Sequence, residues 1–234
     1  MGSSGSDALQ LYVEVGTKRV FAAALNWPGW ARSGRDEAAA LAALLAYAPR
    51  YALAVRPARL GFKTPKDGSQ VAVVERLKGD ATTDFGAPGA VPSLDSEPLE
   101  AKELVRQRAL WEAAWQTFND VIASARGKVL ATGPRGGGRN LTKIVLHAVE
   151  AESAYLGKLG WKLAPLPPDP GEALDRLRHE TRLALEAAGR GEIAETGPRG
   201  GTRWSARTFI RRSVWHALDH AWEIEDRIAE GGPR

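Results

Sequence analysis

The chain has no cysteine, a single methionine and only four histidines among its 234 residues. The missing thiol excludes disulfides and thiolate-held metals, so any bound ion must be held by imidazole, carboxylate or water. No apolar run approaches the roughly 18 residues that a spanning helix needs. Met1-Gly-Ser-Ser-Gly-Ser6 reads as an added leader rather than a signal sequence. A cytoplasmic protein without a membrane partner is expected. Nor does charge of one sign accumulate: the net charge is +4, with acidic residues interspersed almost everywhere, so nucleic acid is not an expected partner. Arg203, Arg207, Arg211 and Arg212 do cluster near Trp204 and Trp215. They form either a patch for anions or a solvated helix face.

What is present is enough apolar material for a core, 44% of residues, in a length that allows one or two domains. Leu9-Gln-Leu-Tyr-Val-Glu-Val15 alternates like a strand, Gly16-Thr-Lys18 is a turn, and Arg19 to Leu25 is a second apolar run, together a β-hairpin. After Trp27-Pro-Gly-Trp30, Ser33 is placed to cap a helix with Asp36 and Glu37 in its first turn, running to about Tyr47 before Pro49. Val71 to Leu77 is a further strand. Residues 7–80 therefore read as a small α+β domain, and 81–98, rich in proline and glycine without periodicity, as a linker.

Beyond it, residues 99–230 read as all-α, an up-down bundle of four amphipathic helices. The first carries Leu104, Trp111, Trp115, Phe118 and Ile122 on one stripe and ends at Gly127. The second starts at Asn140, a good cap, and stops at Gly160; the third opens at Asp169-Pro-Gly-Glu172; the fourth runs from about Ser205 to Ala229. Thr132-Gly-Pro-Arg-Gly-Gly-Gly-Arg139 precedes the second helix, and Thr196-Gly-Pro-Arg-Gly-Gly-Thr-Arg203 precedes the fourth, which suggests two related hairpins. The chemistry of these loops has two readings. Arg135, Arg139, Arg199 and Arg203 can fork onto a small anionic substrate beside helix N-termini, or the repeat is one turn solution used twice.

His216 and His220 lie four residues apart in the last helix, hence on one face, and His147 lies in the second. The pair can close on one divalent ion with His147 as third ligand, leaving a position open for water or substrate. Alternatively His147 is a core histidine bonded to a carbonyl and the other two are surface residues. Spacing leaves both open. Glu152 lies near the aliphatic side of its helix, where a carboxylate needs a partner or a metal. Trp215 and Trp222 flank the histidine pair and are read chiefly as core.

Residues 97–230 resemble the DinB/YfiT-like superfamily of bacterial four-helix bundles. The resemblance rests on His147-Ala-Val-Glu-Ala-Glu152-Ser-Ala-Tyr155-Leu156 and on His216-Ala-Leu-Asp-His220-Ala-Trp-Glu-Ile224. Asp219 stands where the superfamily often has a second adjacent histidine. The resemblance implies His147, His216 and His220 as ligands of a divalent metal. By ligand type zinc is expected first, then nickel or iron. It also implies a metal-dependent enzyme, either a transferase using a low-molecular-weight thiol or a hydrolase, with Glu152 as catalytic proton acceptor or orienter of an imidazole. Homodimerisation is compatible with such bundles. The first domain resembles HicB-like antitoxin domains in its hairpin, Pro28-Gly29 and Ser33-Gly34. That resemblance implies an alternative: a non-enzymatic, partner-binding regulator with the helices as scaffold.

Overall fold

A computed structural model of the chain describes residues 8–132 and 138–230. Contacts divide it into two units, with the boundary between Glu97 and Pro98. Among the described residues there is one four-stranded sheet, in the first unit, and six helices, of which the four long ones of the second unit fill the C-terminal half. The protein is thus mixed α+β.

In the first unit, β1 (Leu9–Val15) and β2 (Val20–Ala24) form the expected antiparallel hairpin. β3 (Ala31–Gly34) pairs with β2, and β4 (Val71–Lys78) lies parallel to β1, giving the order β3-β2-β1-β4. The third strand corrects the placing of Ser33 as a helix cap, because Ser33 sits opposite Phe21 in the sheet. The cap of α1 (Glu37–Val55) is Asp36, whose carboxylate accepts from the Ala39 N–H.

α1 also runs two turns beyond the expected stop and carries Pro49 within it. Proline removes one backbone donor and crowds the preceding turn. The helix survives because it is anchored on both sides of the proline: the Tyr51 hydroxyl donates to the Pro28 carbonyl at 2.8 Å, and the Trp30 indole donates to the Leu44 carbonyl at 2.9 Å. Trp30, Tyr51 and Phe62 pack around one another with ring centroids 5.0–6.0 Å apart. By length and composition, Glu37–Ala58 is apolar enough to cross a membrane, contrary to the expectation from run length. Alanine supplies much of that apolarity, and the face of Ala40, Leu44, Ala48 and Tyr51 is buried in a helix that packs on β2 and β3.

The proline- and glycine-rich stretch after β4 is not an extended linker. It forms α2 (Ala81–Phe85) and a 3-10 turn at Ser93–Ser96, and it belongs to the first unit. The cause lies in β1. Tyr12 and Glu14 point opposite to Leu11 and Val13, and all four are buried. A carboxylate with no exposure must be given donors. Glu14 receives the N–H groups of Gly89 and Ala90, at 2.9–3.0 Å, and the Thr83 hydroxyl.

In the second unit, α3 (Ala101–Ala125) buries Trp111, Trp115 and Phe118. Leu104 and Ile122, the ends of its expected stripe, are only half-buried. α4 (Leu141–Leu159) starts where Asn140 accepts from the Lys143 N–H and ends at Gly160, which is left-handed with φ 101°. α5 (Pro170–Gly189) is capped by Asp169, which accepts from Gly171 and Glu172. α6 (Ala206–Glu230) follows Ser205, whose hydroxyl accepts from the Thr208 N–H at 3.1 Å. α6 packs chiefly on α3 and α4, and α5 packs on α4 and α3.

Candidate metal centre

Residues three and four apart stack on one side of a helix. On α6 that rule aligns Ser213, His216, His220, Glu223 and Arg227, and the last two turns of the row are tied together. Arg227, 3% exposed, donates from Nη1 to Glu223 Oε1 at 3.0 Å, and from Nε and Nη2 to the carbonyls of Ala131 and Arg139. Glu223 in turn faces His220, with Oε2 2.8 Å from Nδ1. The hydrogen bond from His220, then the charges of His220 and Arg227, hold the Glu223 carboxyl below the usual range despite its burial. A carboxylate only accepts, so Nδ1 of His220 is the donor, and Nε2 is the ring nitrogen turned toward the other imidazoles.

That nitrogen meets two other imidazoles. His220 Nε2 is 3.1 Å from His216 Nε2, which is 3.2 Å from His147 Nε2 on α4. The three donor atoms lie within 4.8 Å of one another. Burial, followed by the charges of neighbouring imidazoles and of Arg212 and Arg139, pushes the proton affinity of His216 well down. Burial, then His220 and Arg139, lowers that of His147. Three imidazoles aimed at one point cannot satisfy one another as neutral rings. His216 has a single Nε2 proton to offer at most, and the remaining lone pairs face each other unless a cation lies between them. The donor set fits a divalent ion. Nitrogens about 2.0–2.1 Å from a tetrahedral zinc stand roughly 3.3–3.4 Å apart, close to the two spacings observed. His147, half-buried where the others are buried, marks the open side.

No family model, curated protein or solved structure matches the chain. The chemistry of the site is therefore read from its own geometry.

The structure puts Glu152 elsewhere than beside an imidazole. Its Oε1 accepts from the Ser213 hydroxyl at 2.8 Å, deep between α3, α4 and α6. Ser213 also receives the indole N–H groups of Trp111 and Trp115, at 2.9 and 3.1 Å. Burial pushes the Glu152 carboxyl up to about 7, although the hydrogen bond from Ser213 favours its ionised form. The orienting part expected of Glu152 is taken by Glu223. The signal for Glu223 lies in the sequence, three residues after His220 and four before Arg227 and so on the histidine face of its helix.

The loop arginines separate. Arg139 reaches the histidines electrostatically, and its carbonyl is held by Arg227. Arg203 closes its own loop, with its N–H on the Glu195 carbonyl and Nη1 on that of Ala194. Arg199 is exposed in the turn between Gly197 and Gly200, and Arg135 lies outside the described residues. Trp215 and Trp222 are buried, at 5% and 3% exposure, and the Trp215 ring lies 6.2 Å from that of His216. Tyr155, with its ring 5.8 Å from that of His216, is the aromatic wall from α4.

Proposed function

We propose that the second unit is a DinB-like four-helix bundle that binds one divalent metal ion, zinc by ligand type, through Nε2 of His147, His216 and His220, and that the protein is a metal-dependent enzyme acting through a bound thiol or water. The convergence of three imidazole nitrogens carries this reading. The bundle is supported by the cyclic order of packed pairs, α3 with α6, α6 with α4, α4 with α5 and α5 with α3. An ion held by neutral ligands keeps its double charge, which lowers the pKa of a bound water or thiol toward neutrality and makes it a nucleophile. The chain's own residues set up that chemistry. Glu223 fixes the His220 tautomer, Arg227 holds Glu223, and Tyr155 walls His216. Glu152, its carboxyl raised by burial to about 7, accepts from Ser213 one helical turn from His216.

The test is elemental analysis of the full chain purified without affinity resin. About one equivalent of metal is expected in the wild type, and a large loss in His147→Ala and in His220→Ala. Full occupancy in either variant, or a metal-free wild type whose stability ignores added zinc, overturns the ligand set.

A further inference from the structure

We propose that Arg212 is the substrate-binding residue of this site, and that the substrate it selects is a small organic carboxylate. The inference rests on the metal-site reading for its reacting end, and on Arg212 alone for its anchoring end. Arg212 precedes His216 by four residues and so lies one turn away on α6, about 6 Å along the axis. Its guanidinium belongs to a ladder of cations and rings. Lys158 Nζ lies 4.6 Å from the Trp204 ring centre, Trp204 is 5.3 Å from Tyr155, and Arg212 Cζ is 5.7 Å from the Tyr155 ring and 5.3 Å from that of Trp215.

The ladder holds the plane of the guanidinium and Tyr155 takes a hydrogen bond from it, yet one donor on each edge stays unmet. Nε and Nη1 are buried and have no hydrogen-bond partner among the described residues. A guanidinium donates to a carboxylate along the Nε/Nη2 edge or the Nη1/Nη2 edge, and here each edge contains one unused buried donor. Leaving such donors unpaired is costly, and a bound anion is what removes the cost. The nearby acids do not compete for it. Glu223 is engaged by His220 and Arg227, and Glu152 is engaged by Ser213. Arg139 adds a second positive charge felt at the imidazoles. A small planar monoanion, held by the fork at one end and presented toward the imidazoles one helical turn on, fits this arrangement.

The experiment titrates acetate, benzoate and inorganic phosphate into the full-length wild type, Arg212→Met, Arg212→Lys and His147→Ala, each checked for metal content and circular dichroism. Carboxylate binding should fall roughly 10- to 100-fold in Arg212→Met and be only partly restored in Arg212→Lys, because ammonium lacks the fork. Metal content should not change in either. If Arg212→Met fails to fold, the wild type against Arg212→Lys decides, with equal affinities overturning the proposal. Carboxylate binding kept in Arg212→Met and abolished in His147→Ala means that the metal alone holds the anion, and overturns it. Phosphate bound more tightly than either carboxylate overturns the substrate class. A metal-free wild type overturns the metal reading, yet an Arg212-dependent loss of carboxylate binding in it still supports the anchor.

Discussion

Ser213 has one proton and two lone pairs, and all three are committed. Two indoles, which can only donate, fill the lone pairs, so the proton must go to Glu152. The other Glu152 oxygen, Oε2, has no partner in hydrogen-bonding geometry, and the same holds for the buried hydroxyl of Thr181. An ionised carboxylate there is short of donors, which is why burial lifts its titration from the ordinary 4.5 to about 7. The folded state therefore holds this proton through a pH range in which the unfolded chain releases it. The associated stability is fully present below pH 4.5 and is lost as pH rises through about 7, a change of about 3 kcal/mol. Glu152→Gln keeps the acceptor for Ser213, offers an N–H toward Thr181 and cannot ionise. Urea unfolding in excess chelator should show the variant gaining on the wild type between pH 5 and 8 by about that amount. His147 and His216 shift in the opposite sense but equally in both proteins, so a pH-independent difference refutes the account.

At the scale of elements, the local signals were readable and the long-range ones were not. The β1–β2 hairpin, the Asn140 cap and the Gly160 stop are set by neighbouring residues and stand where alternation and capping put them. β3 was missed because Ala31-Arg-Ser-Gly34 has little strand character and exists through pairing with β2. The segment after β4 read as a linker because its partner is Glu14, more than 65 residues earlier. The site follows the same rule. His216 and His220 announce themselves by spacing, whereas the pairing of Glu152 with Ser213 spans 61 residues and depends on how α4 meets α6. Gly160 tests the local side of this division. Its φ of 101° disfavours any side chain, and a Cβ there would meet Arg203 Cδ at 2.6 Å. Gly157, one turn earlier in α4, has open space. Gly160→Ala should lose roughly 1–3 kcal/mol in urea unfolding, while Gly157→Ala should gain roughly 0.5–1 kcal/mol from helix propensity. Similar effects at both glycines count against the left-handed stop.

At the scale of the whole chain, every histidine lies beyond Glu97, so a ligand held by imidazoles is a ligand of the second unit alone. Binding to the native state stabilises whatever folds with the site, by about 2.7 kcal/mol at a hundredfold excess over Kd. That energy reaches only those amides whose exchange requires the site to open. The buried faces of α4 and α6 meet at the three imidazoles, so their core amides, around Ala148 and Ala217, should exchange roughly a hundredfold more slowly when zinc is added to the full chain. α1, which is held by Trp30 and Tyr51 and contains no ligand, should exchange at an unchanged rate. Mass-resolved hydrogen exchange with and without zinc reads both units in one sample. Equal slowing in Glu37–Val55 would mean that the two units open as one, and absence of slowing in α4 and α6 would mean that the convergent histidines do not hold the ion.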